Sequence, residues 1–146
     1  MQPTIYLFFK GNCREAMTHY AKTLGGTVAG VVRNADVADQ GCRMPGGDDM
    51  VMHMAVRLDD ATIMASDSPA EMYRKPEGFS VSLQMASLAE FDRVHAALAE
   101  RAEAVMMPPG ETFFAERFAM FTDRFGTPWM LNFAGAKQAA QQGSAA

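Results

Sequence analysis

The chain has 146 residues, 49% of them hydrophobic, enough for one domain with a sizeable core or two half-domains sharing a sheet, with no need of disulfide or metal staples. A formal net charge of −4 and the absence of any run of Lys or Arg leave no footprint for a nucleic-acid backbone or an anionic membrane surface. No stretch approaches the roughly 18 apolar residues of a membrane span, and the start MQPTIYLFFKGN lacks the pattern of a signal peptide, so a cytoplasmic protein is expected.

The apolar, aromatic run TIYLFF at residues 4 to 9 predicts a strand, and KGNC breaks it. A helix over about residues 13 to 24 follows, with Asn12 as its cap, Glu15 three residues on, and Ala16, Met17, Tyr20, Ala21 and Leu24 on one face before Gly25 and Gly26 end it. TVAGVVR (27 to 33) is β-branched enough for a second strand, and residues 34 to 49 form a long polar loop with Gly and Pro. In MVMHMAVRL (50 to 58), Met52, Met54, Val56 and Leu58 alternate with Val51, His53, Ala55 and Arg57, a mixed second face suited to something wet. Asp59 and Asp60 make a short hairpin turn into a returning strand at residues 61 to 67, and a connector with two prolines closes the first half.

FSVSLQMA (79 to 86) alternates as a half-buried strand, Ser80, Ser82 and Gln84 facing away from Phe79, Val81, Leu83 and Met85. Ser87 and Glu90 form a capping box for a second helix over about 88 to 102, striped by Phe91, Val94, Leu98 and Ala102. AVMMPPGETFFAERFAMFTD reads as a strand, a Pro-Pro-Gly turn and another strand, and PWMLNF (128 to 133) as the last. The halves share one grammar: a shift of 75 residues lays TIYLFFK on FSVSLQM and Asn12/Glu15 on Ser87/Glu90, an internal repeat of a βαβββ unit. The expected division is a module at 1–67, a linker at 68–78, a module at 79–134 and a frayed tail at 135–146.

The phrases GNCREAMTHYAKTLGG, MHMAVRLDDATIMASD and FTDRFGTPWMLNF, in that order within residues 3 to 134, resemble the PhnB-like branch of the vicinal oxygen chelate superfamily, the glyoxalase, bleomycin-resistance and dihydroxybiphenyl dioxygenase group. The resemblance implies an α+β fold of paired βαβββ modules in a curved, cup-shaped mixed sheet with helices outside, usually a homodimer. In many members four His, Glu or Gln side chains, one on the first and last strands of each module, hold a divalent metal. Carried over, those places fall near Thr4 or Tyr6, at Met64 or Ser66, at Ser80 and at Met130, none of them a His or a carboxylate. A hard or borderline ion needs imidazole or charged oxygen, so the usual site is expected to be absent and no cofactor is predicted. Some PhnB-like sequences carry the label of a ubiquinone-pathway methyltransferase, yet no glycine-rich loop follows a leading strand here to hold a methyl-donor nucleotide.

Of the residues able to carry chemistry, His53 stands out, on the cup side of its strand with Arg57; imidazole can serve there as general base, hydrogen-bond donor or lone metal ligand, or simply bond across the sheet. His19 and His95 fall among helical residues and read as surface or packing groups. Cys13 sits in a first helical turn, where the dipole favours thiolate, and reads as a bystander; neither it nor Cys42 belongs to a CxxC or Cys/His cluster. Asp67 and Asp123 read as turn-capping carboxylates, Glu71 and Glu116 as solvated acids, and Trp129 as core.

Tyr6, Phe8, Met64, Ser80, Ser82, Gln84, Met130 and Asn132, with Arg117 and Phe121 of the preceding strand, are expected to line an amphipathic pocket with His53 and Arg57 as polar contacts. The leading expectation is a homodimeric protein that holds a small organic molecule in this Met/aromatic cup without metal. The alternatives are a lyase, isomerase or dioxygenase of the glyoxalase type with a metal near His53, and a drug-sequestering protein whose aromatic walls stack on a planar compound. Whether the modules pair within the chain or across a dimer stays open.

Overall fold

The computed structural model describes residues 1–141, as a first unit, Met1–Lys75, and a second that begins at Pro76. In the first unit β1 (Ile5–Phe9) leads into α1 (Cys13–Leu24), followed by β2 (Thr27–Arg33), β3 (Val51–Leu58) and β4 (Ala61–Asp67). The sheet order is β1-β4-β3-β2, with β1 parallel to β4 and the other neighbours antiparallel. The second unit repeats this with β5 (Val81–Gln84), α2 (Leu88–Leu98), β6 (Ala104–Gly110), β7 (Arg117–Thr122) and β8 (Pro128–Phe133), in the order β5-β8-β7-β6. Two mixed four-stranded sheets, each with one long helix, make the expected α+β fold.

Alternation decides which face of each sheet is covered. In the first unit Leu7, Phe9, Met54, Val56, Ile63 and Ala65 are buried together with Ala16, Met17 and Tyr20 of α1. In the second, Trp129, Leu131, Ala119 and Phe121 are buried with Phe91, Val94 and Leu98 of α2. Removing a large apolar side chain of this kind from water contributes about 1.5–3 kcal/mol, so each core selects its register: a one-residue slip would turn the whole set out.

Several local expectations are corrected. The Asn12 side chain makes no capping bond to α1; the carboxylate of Asp67, at the end of β4, accepts the Cys13 N–H at 2.9 Å instead, and its other oxygen accepts Val51 N–H at 2.9 Å. At α2 the expected capping box forms in half: Ser87 Oγ accepts the Glu90 N–H at 3.1 Å, whereas the Glu90 carboxylate accepts from the Ala86 N–H at 2.7 Å, one residue before the N-cap. That helix ends at Leu98, short of Ala102, and Arg101 then turns at φ 55°.

Pro108, Pro109 and Gly110 make no turn. They lie inside β6, which tolerates prolines because it is an edge strand whose register against β7 is interrupted by bulges. Val51, assigned to the face of His53 by strict alternation, is buried, because a register shift between Val32 and Arg33 skips Met52. The tail begins with a 3₁₀ turn at Gly135–Lys137 and a short helix at Gln138–Gln141; the rest of the predicted frayed segment lies outside the described residues.

Candidate functional site

In the first unit the sheet face opposite α1 gathers Tyr6 and Phe8 from β1, Met64 from β4 and His53 from β3. Tyr6 stands opposite Met64 and Phe8 opposite Ser66 in the β1/β4 register. The Tyr6 hydroxyl lies 3.2 Å from His53 Nδ1, and its ring centroid is 5.2 Å from Phe8 and 5.8 Å from His53. The phenol can donate to Nδ1 or accept from it, according to the imidazole tautomer. Arg57 is exposed further along β3, two strand pleats from His53.

In the second unit a cleft of about 450 Å³ opens on the face opposite α2, lined by Ser82 and Gln84 of β5, Met130 and Asn132 of β8, Phe118 of β7, and Phe113 and Phe114 of the preceding loop. Every lining residue is neutral. Asn132 Nδ2 donates to Gln84 Oε1 at 2.6 Å, so Gln84 keeps its –NH₂ as a donor end. Phe114 meets Phe113 and Phe118 edge to face, each pair with centroids 5.1 Å apart, a geometry aromatic quadrupoles favour.

The feet of this aromatic loop are held by the chain just after β8. The Lys137 amine bonds the Glu111 carboxylate and donates to the Thr112 carbonyl at 2.6 Å, while Glu116 Oε1 accepts the Ala136 N–H at 2.7 Å. Lys137 holds the Glu111 carboxyl below its ordinary range. Glu116 is exposed, as expected of a solvated acid, and also anchors the wall.

Two expected lining residues belong to the other face. Phe121 is fully buried with its ring centroid 5.5 Å from that of His95 on α2, and Arg117 extends to Asp92 of α2 at 3.4 Å. Phe118 takes their place in the cleft, and Phe113 and Phe114 were not foreseen at all. Ser80 precedes β5 and is half-buried, outside the lining.

The buried acids are structural. Asp123 Oδ1 accepts the N–H groups of Phe125 and Thr127 at 2.8 and 3.0 Å, and its Oδ2 accepts Trp129 Nε1–H at 2.8 Å. Asp67, bridging Cys13 and Val51, does the same for the first unit. Cys13 is fully buried, and burial, with Asp67 adding to it, pushes its thiol up to about 12, against the helix-dipole expectation. A groove of about 700 Å³ along α1 carries charges of both signs, Arg14, Lys22, Glu15 and Asp49 among them, and no convergent pair.

Among the described residues no three His, Cys, Asp or Glu side chains come together as a set able to hold a metal ion. The places where the superfamily's ligands would stand carry a phenol, hydroxyls and thioethers, and these do not fit a divalent ion.

A sheet unit of the form βαβββ, repeated once, is the expected glyoxalase-like architecture. Residues 2–132 match the family described as 3-demethylubiquinone-9 3-methyltransferase. The chain is 32% identical over 137 residues to Protein YjdN of Escherichia coli K12, a match covering 87% of this chain and 91% of that one. The crystal structure of PA1353 from Pseudomonas aeruginosa is 41% identical with a TM-score of 0.82, covering 91% of this chain and 97% of that one. A PhnB protein from Bacillus cereus is 25% identical with a TM-score of 0.78, covering 92% and 100%. The chain belongs to this PhnB-like family.

Proposed function

We propose that the protein binds a small organic molecule in the cleft of the second unit and does so without a divalent metal. The observation that carries this reading is the cleft itself: about 450 Å³, walled by three phenylalanines and Met130, with the Gln84–Asn132 amide pair beside them. That size and mixture of apolar walls with a few oriented polar groups is what small-molecule sites use. The homodimer usual in the family belongs to the same reading.

Methyl transfer, named in the family description, draws no support from the leading strand. The turn from β1 to α1 is Lys10, Gly11 and Asn12, too short and too poor in glycine for a nucleotide cradle. Moreover, the α1 N-terminus, where a phosphate would sit, is already occupied by the Asp67 carboxylate.

The test is a thermal-shift screen of neutral organic fragments, with metal content measured on the same sample. Hits are expected to raise Tm in the native protein and to lose most of that shift in Met130→Lys, which puts a charge in the neutral cleft. Stoichiometric zinc, nickel, iron or manganese that disappears in His53→Ala would replace this reading with the metal-dependent one. An empty screen at millimolar fragment would remove the cleft.

A further inference from the structure

We infer that the cleft of the second unit selects a neutral, flat, fused-ring compound bearing a carbonyl, gripped between the Phe113–Phe114 loop and Met130 and read by the Gln84 amide; this rests on the cleft reading above. Three features converge. First, no ionisable side chain lines the cleft. A charged ligand would lose its hydration there and find no counter-ion, whereas a neutral one loses little. Second, the walls are aromatic rings with a polarizable thioether among them, surfaces that match a ring system better than an aliphatic chain.

Third, the polar groups have a definite polarity. Gln84 spends its oxygen on Asn132 Nδ2, which orients the amide and leaves the –NH₂ as the end that can bond a ligand. Ser82 lies two residues away on the same side of β5, about 7 Å along the strand, and adds a hydroxyl. A donor end of this kind calls for an acceptor on the ligand, and a ring carbonyl is the acceptor that leaves the molecule flat and uncharged.

The aromatic wall is arranged before any ligand arrives. Phe113 is 83% exposed, an unusual place for a phenyl ring, yet its loop is fixed at both ends through Lys137 and Glu116. Ordering costs are thereby met in the folded chain rather than at binding, and covering Phe113 with a flat ligand gives that exposed ring its partner.

Coumarin, naphthalene and coumarin-3-carboxylate separate these elements: flat with a carbonyl, flat without one, and the first with a charge. By calorimetry or fluorescence on the full chain, coumarin is expected to bind about tenfold tighter than naphthalene, one hydrogen bond's worth, and the carboxylate not measurably. Gln84→Glu keeps the oxygen that accepts from Asn132 but removes the donor; it should erase the preference for coumarin while leaving the fold, checked by circular dichroism, intact. Phe113→Ala, at an exposed position, should weaken coumarin and naphthalene alike by about fivefold or more.

Equal affinity for coumarin and naphthalene, or a preference that survives Gln84→Glu, would overturn the carbonyl selection while the cleft itself stands. Tight binding of the carboxylate would overturn the neutral class. Failure of both flat probes, with hits of other shapes in the fragment screen, would overturn this inference alone, and failure of every fragment would take the cleft reading with it.

Discussion

Asp123→Asn is the most incisive test of how the second unit is held together. The carboxylate is 1% exposed and accepts two backbone N–H groups of the turn on one oxygen and the Trp129 indole N–H on the other. Asparagine keeps the shape but offers one oxygen only, so whichever way the amide turns, its –NH₂ confronts a donor. The loss comprises at least one hydrogen bond to a charged group, about 1.5–3 kcal/mol, with a buried donor left unmet, about 1–3 kcal/mol, and partial relaxation brings the expected total to about 3 kcal/mol.

Trp129 is the chain's one tryptophan, so its fluorescence during urea unfolding reports on this unit. If the indole bond matters, the penalty should shrink by about 1–2 kcal/mol in a Trp129→Phe background, followed by circular dichroism because the fluorophore is gone. A penalty below about 0.5 kcal/mol, the scale of an indifferent surface change, would refute the assignment of Asp123 as the turn's organising acceptor.

Thiol reactivity and pH dependence give two further expectations. Cys13 is fully buried and its thiol is pushed up to about 12, whereas Cys42 is exposed, so a disulfide thiol reagent at pH 8 should label one cysteine in the native protein and the second only in denaturant; two rapid equivalents would contradict the burial. Burial lowers the pKa of His95, against the opposing pull of Asp92, so the folded chain favours the neutral ring. The unfolded chain takes up its proton at about 6.5, so this contribution to stability is intact above that value and lost as pH falls below it. Unfolding midpoints should fall from pH 7 to pH 5 more steeply in the native protein than in His95→Gln, and parallel slopes would count against it.

Much of the architecture is legible in residue order. Helix α1 occupies Cys13–Leu24 as its apolar stripe and Gly25 indicate, with Gly25 in the left-handed region at φ 70°. The two-residue turn at Asp59–Asp60 sets Leu58 against Ala61, and by counting back it puts Ala55 against Met64, so His53, Arg57 and Met64 follow onto one face. The same count was available around DRFGT: Thr122 pairs with Pro128, which places Met120 against Met130 and Phe118 against Asn132. Directly opposed residues share a face, so Arg117 and Phe121 had to point toward α2 once Met130 and Asn132 faced away.

What sequence patterning misses are contacts between segments distant in the chain. Nothing local to Asn12 reveals that Asp67, 54 residues from Cys13, caps the helix. Nothing in TFFAE shows that Lys137 and Glu116 will turn two phenylalanines into a wall, and a proline pair reads as a turn unless the strand is known to be an edge.

The two units differ in how they treat one position. Each places a methionine on the open face of its last strand beside its first strand, Met64 opposite Tyr6 and Met130 opposite Ser82. A thioether there offers no charge to a divalent ion but good dispersion contact to a ring. Around that shared feature the first unit sets a hydrogen-bonded phenol and imidazole, and the second sets amides and phenylalanines. The phenol–imidazole pair thus resides on the first unit and the aromatic cleft on the second. Substitutions at Phe113, Gln84 or Met130 should weaken binding in that cleft, which a binding titration measures.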